Sequence, residues 1–130
     1  MPELTSFDYA IIRVVPRVER HEFVNAGVVL FCKKLSFLEA RIALDPERLR
    51  AIAPDVDLET VEQHLAALPR IAAGGKSAGD LGALSQSERF HWIVAPRSAV
   101  VQSSPVHSGQ CAEPLSAIEH LMRSMVLRPV

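Results

Sequence analysis

The chain lacks most of the features that identify an activity. Aromatic residues make up only 5% of its 130 residues, too few for a platform on which bases stack. Its formal net charge is −1, so it has no broad positive field for a phosphate backbone, and nucleic acid is not an expected partner. The two cysteines, Cys32 and Cys111, cannot build the disulfide framework of a small secreted protein. Cys32, His91, His107 and Cys111 do not show the close paired spacing of zinc sites, so no metal is expected. No cofactor is expected either. The N-terminal segment, Met-Pro-Glu-Leu-Thr-Ser, lacks the basic-then-apolar pattern of a signal peptide. No apolar run reaches the ~20 residues that span a bilayer, so no membrane association is expected. These absences lead to the expectation of a cytoplasmic protein with reduced thiols.

What is present is the composition of a folded domain. Apolar residues make up 48% and charged residues 22%, which is globular rather than disordered. Residues 1–130 are expected to form one domain, long enough to bury a core.

The first third reads as a three-stranded meander. Phe7 to Val18 is rich in β-branched residues, with Pro16 at its frayed end. One face would carry Tyr9, Ile11, Arg13, Val15 and Arg17, the other Ala10, Ile12 and Val14. Arg13 is unusual in sharing a face with apolar neighbours. After an exposed charged connection, Phe23 to Cys32 is apolar except for Asn25 and Gly27. That pattern fits a central strand covered on both faces, with Gly27 marking a bulge or a close backbone approach. Lys33 to Ser36 is a hairpin loop. Phe37 to Leu44 alternates, with Leu38, Ala40, Ile42 and Leu44 facing in and Glu39 and Arg41 facing water.

The middle is helical. Asp45-Pro46 predicts a cap and first helical residue for a short helix to Ala53. Asp57 caps a longer one in which Leu58, Val61, Leu65, Leu68 and Ile71 recur. Pro69 is expected to kink or shorten it, and Gly74-Gly75 to end it. A loop of small residues runs to Leu84. Ser85 with Glu88 forms a capping box for a helix through Phe90 and Trp92 to Pro96. Ala99 to Ser104 reads as a fourth strand, with a polar turn around His107 and Gly109. Pro114 opens a last helix with an apolar stripe of Leu115, Ile118, Leu121, Met122 and Met125. The fold class is α+β: an antiparallel sheet of about four strands, a meander plus a late strand, covered by helices mainly on one face.

The segment from Arg97 to Cys111 holds more reactive polar groups than a strand and turn require. Ser103 or Ser104 with His107 suggests a nucleophile and base. No nearby acid orients the imidazole, however, and the nucleophile-elbow pattern is missing. His107 and Cys111 suggest a thiol–imidazole pair. An anion pocket is the better chemical reading. Arg13, Arg17, Arg20 and Arg97 lie around the ends of predicted strands and Arg89 lies in the capped helix, and guanidinium forks bind carboxylate and phosphate in pairs of hydrogen bonds. The plainer alternative is that each pairs with a surface acid. The candidate ligand-binding set is Arg13, Asn25, Arg97, Gln102, Ser104 and His107, serving an anionic small molecule or phosphate ester. No catalytic residue is assigned.

Four segments carry a resemblance: Tyr9 to Arg20, Glu22 to Cys32, Phe90 to Ser98 and Gln102 to Gly109. With them the chain resembles the bacterial family catalogued as domain of unknown function 3037, from about Phe7 to the last helix. The family has no assigned activity or catalytic residues. The resemblance implies a small regulatory or accessory protein that partners a HipA-like serine/threonine kinase. A non-catalytic protein–protein interaction is thus the leading expectation, and an enzyme or binding domain built on the anion pocket the second.

Overall fold

A computed structural model describes residues 3–97 and 99–128. Five antiparallel strands form one sheet: β1 (Thr5–Val14), β2 (Val24–Cys32), β3 (Phe37–Ile42), β4 (Val101–Ser103) and β5 (His107–Cys111). Their order is β3-β2-β1, with β4 and β5 lying end to end along the outer side of β1. Four α-helices accompany the sheet: α1 (Pro46–Ile52), α2 (Leu58–Ala73), α3 (Gln86–Val94) and α4 (Pro114–Leu121). The α+β architecture follows the expectation from the sequence. The first strand is shorter at its far end than the sequence pattern suggests, and Pro16 and a short 3-10 turn over Val18–Arg20 follow it.

β2 is the centre of the fold because its sequence feeds both faces. Val24, Ala26, Val29 and Phe31 join one core, while Val28, Leu30 and Cys32 join the other. The alternation skips at Gly27. There Ile12 faces Gly27 but Arg13 faces Asn25, which leaves Ala26 as the extra residue of a β-bulge. A Cβ on Gly27 would lie 2.4 Å from the Arg41 carbonyl oxygen, so β3 also passes too close for any side chain there. The bulge and the close approach coincide.

The first face is covered by α1, α2 and α3. Leu49, Val61, Leu65, Leu68, Ile71, Phe90 and Ile93 pack on Ala10, Ile12, Val14 and the first-face residues of β2. The caps stand where the sequence signals them. Asp45 accepts from the Glu47 and Arg48 amides, Asp57 from the Thr60 amide, and Ser85 and Glu88 complete a capping box. Pro69 lies inside α2 without ending it, and the helix continues to Ala73. The expected loop of small residues contains 3-10 turns over Lys76–Ala83, reversed at Gly79.

The second face carries a smaller core. Ile118, Leu121, Met122 and Val126 cover Phe7, Ile11, Val28, Leu30, Cys32 and Cys111. α4 runs directly into a π-helical turn, Met122–Val126. Across that wider turn the expected stripe is displaced by one position, with Val126 buried and Met125 exposed; Leu115, in the first turn of α4, is exposed as well. The water-facing side of β3 is also partly tied down, since Arg41 pairs with Glu39 and with Glu119 of α4.

β5 replaces the expected polar turn. Its residues, His107-Ser-Gly-Gln-Cys111, show no apolar alternation because β5 lies at the sheet edge and only Cys111 is buried. Gly109 is needed there, because a Cβ would fall 2.6 Å from the Phe7 ring lying across it.

Candidate functional site

Arg13 is the residue around which a site forms. Its neighbours in register are Asn25 on β2 and Gln102 on β4, so the three make one row across the sheet. Alternation from Tyr9 and Ile11 puts Arg13 on the second face, beyond the reach of α4. Its guanidinium lies over the Phe23 ring, 4.2 Å from the centroid, which holds the planar group by a cation–π contact. With Val15, Val18, His21, Phe23 and Gln102 it lines an open cleft of about 250 Å³.

The hydrogen bonding of this row is incomplete. Among the described residues Arg13 Nε is buried without an acceptor, as is Arg89 Nε, and Asn25 Oδ1 is buried without a donor. Asn25 uses its other end, donating from Nδ2 to the Met125 carbonyl at 3.0 Å. Gln102 donates to the Ala99 carbonyl at 2.8 Å. A buried donor with no partner costs free energy.

The other arginines are committed. Arg17 pairs with Asp55 and Arg20 with Glu22. Arg89 is buried and donates to the Leu84 and Ala72 carbonyls, joining the end of α2 to the start of α3. Arg97 donates to the Trp92 and Ala95 carbonyls and lies over the Trp92 ring, so it caps the C-terminal end of α3. Its cleft, shared with His64, Leu68 and Ile71, belongs to α2 and the first face. Arg13 alone among these five has neither an ion pair nor a hydrogen bond to a backbone carbonyl among the described residues.

Ser104 and His107 lie outside the row. Ser104 sits where the outer strand breaks between β4 and β5. Its buried hydroxyl accepts from the Ile11 amide at 2.8 Å and donates to the Pro105 carbonyl at 2.9 Å. The side chain thus stands in for the missing ladder carbonyl, and both hydroxyl functions are used. His107 is exposed and packs on Tyr9, its register partner. Tyr9 is four residues from Arg13, a separation of about 13 Å along an extended strand. The same spacing separates His107 from Cys111 on β5. Burial, with a smaller contribution from Cys32, pushes the Cys111 thiol above its ordinary value, the opposite of an activated nucleophile. The structure therefore joins Arg13, Asn25 and Gln102, commits the neighbouring Ser104 to the Ile11 amide, and places Arg97 and His107 elsewhere.

Phe23 and His21 were not part of the candidate set. A hairpin register between the first two strands would have placed Phe23 beside Arg13, since Val14 pairs with Val24. No grouping of His, Cys, Asp or Glu able to hold a metal occurs among the described residues. No helix there is long and apolar enough to cross a membrane.

Neither a comparison with curated proteins nor one with solved structures returned a match. Residues 9–126 match the family described as "Protein of unknown function (DUF3037)". That span takes in the sheet except the first four residues of β1, all four helices and the Arg13 row, and the chain belongs to this family.

Proposed function

We propose that the protein is a non-catalytic regulatory or accessory binding module, and that the Arg13 row receives an anionic group displayed by a protein partner. The observation that carries this reading is the Arg13 guanidinium, held over Phe23 at an open cleft with neither an ion pair nor a hydrogen bond to a backbone carbonyl among the described residues. A carboxylate or phosphoryl oxygen would pair with that guanidinium through a charge-assisted hydrogen bond. The cleft of about 250 Å³ falls below the ~300–1,000 Å³ of a small-molecule pocket. Its size suits a side-chain group better than a free ligand. The commitment of Ser104 to the β ladder and of Cys111 to the core supports the non-catalytic part of the reading.

A HipA-like kinase, the partner implied by the family resemblance, is the first to test. Co-expression with such a kinase from the same organism, followed by affinity purification, should recover a complex that Arg13→Ala weakens at least about tenfold. Failure of the wild-type protein to associate would overturn the kinase assignment. A complex indifferent to Arg13→Ala would overturn the site. Inorganic phosphate shifting the Arg13 Nε–H resonance at micromolar concentration, with no complex formed, would replace the protein partner by a free anion.

A further inference from the structure

The two edges of the sheet are defended differently. β3, on one side, carries Glu39 and Arg41, paired to each other and to Glu119. Charged side chains of this kind are a common means of discouraging one sheet edge from pairing with another. The other edge has none. From residue 98 to residue 112 the sequence contains no Asp, Glu, Lys or Arg, and that run supplies both β4 and β5. The nearest carboxylate, Asp8, lies one strand in and accepts from the Ser108 hydroxyl at 2.9 Å. No strand covers the outer side of β5 among the described residues.

We propose that β5 pairs with β5 of a second copy, antiparallel about a two-fold axis at Gly109, so that one sheet runs through both copies. Gly109 is the middle residue of the strand, and this register gives full overlap. It sets Ser108 opposite Gln110 and His107 opposite Cys111 of the second copy. Neutral groups meet neutral groups, so the pairing brings no like charges into opposition. A two-fold contact uses the same patch twice and closes on itself, which accounts for an uncharged edge without open-ended aggregation.

The flanks of β5 are uncharged in the same register. Val106, just before the strand, is an exposed large hydrophobic side chain, and the register brings it opposite Ala112 of the second copy. The break at Ser104 to Val106 limits the pairing to β5 and leaves the Arg13 row outside it. Five-residue strands make a small contact by the standard of ~1,200–2,000 Å² for stable interfaces, so the expected dimer is dissociable.

Sedimentation equilibrium of the full chain, from low micromolar to submillimolar concentration, tests this directly. The wild-type protein should pass from monomer to dimer and no further. Gln110→Lys, at an exposed position, should weaken that dimer at least about tenfold, with the circular dichroism spectrum and Tm unchanged. Amide exchange at residues 107–111 should slow as wild-type concentration rises. If Gln110→Lys were to unfold the chain, this concentration dependence would decide the matter alone. A wild-type monomer throughout the range would overturn the proposal. So would species larger than a dimer, a dimer insensitive to Gln110→Lys, or exchange in β5 independent of concentration. None of these outcomes depends on Arg13.

Discussion

The two faces of the sheet are built to different degrees of completion, and the proposed site lies where the cover ends. Three helices cover the first face, where the core runs from Leu49 through α2 to Phe90 and Ile93. The second face has one helix and a π turn, which cover Phe7 to Ile11 and stop before Arg13. Beyond that cover the residues change from Ile and Val to Arg13, Asn25 and Gln102. The Asn25 amide marks the boundary by holding the Met125 carbonyl of the π turn. The first face holds the larger core, and the second retains an uncovered polar end.

The comparison is tested most severely by matched core truncations. Leu65 on the first face is 1% exposed and Ile118 on the second is fully buried. Large-to-alanine changes at such sites cost about 2–5 kcal/mol, depending on how far the surroundings can collapse. Leu65→Ala is expected in the upper part of that range, because α2 is held between the sheet and its neighbours. Ile118→Ala is expected in the lower part, because α4 borders the open cleft beside β5. Urea denaturation of both variants measures the difference. Equal losses would mean that the second core is as constrained as the first.

Why some of this was visible in the residues and some was not has a physical basis. Helix starts are local: Asp45-Pro46, Asp57 and the Ser85–Glu88 box act within one turn, so their signals survive in the linear chain. β2 was legible because burial on both faces leaves a nearly unbroken apolar run, with Gly27 as its one irregularity. β5 was not, because an edge strand with a single buried side chain has no periodicity to detect. The π turn was hidden for a related reason, since the stripe it breaks reads as an ordinary helix until one residue is inserted.

The candidate site divides along the same line. The anomaly of Arg13 among apolar neighbours was visible, and strand register then supplied Asn25 and Gln102. The cluster of polar residues from Arg97 to His107 misled because proximity along the chain is not proximity in space. An extended strand moves ~3.4 Å per residue and alternates faces.

A smaller effect is expected from Ser104→Ala. The substitution removes the acceptor of the buried Ile11 amide, and leaving such a donor unpaired costs about 1–3 kcal/mol. The loss should appear in Tm and in faster exchange of the Ile11 amide, with partner binding at Arg13 unchanged in affinity. Loss of binding with normal stability would give Ser104 a direct role at the site and would blur the distinction between the covered strand and the open row.

The smallest effect concerns the thiol at the border of the second core. Burial raises the Cys111 pKa above its ordinary value, and Cys32 adds to the rise. The unfolded chain ionises this thiol first as pH increases. Its contribution to stability is therefore intact below the ordinary thiol range and is lost as pH climbs through it toward the raised folded value. The consequence for reactivity is more easily measured than the stability itself. In the native protein at mildly alkaline pH both thiols should react slowly with Ellman's reagent, and both should react at once in denaturant. Rapid native modification of Cys111 would mean that the cleft beside β5 opens to its floor. The second face would then be loosely covered under α4 as well as at the Arg13 end.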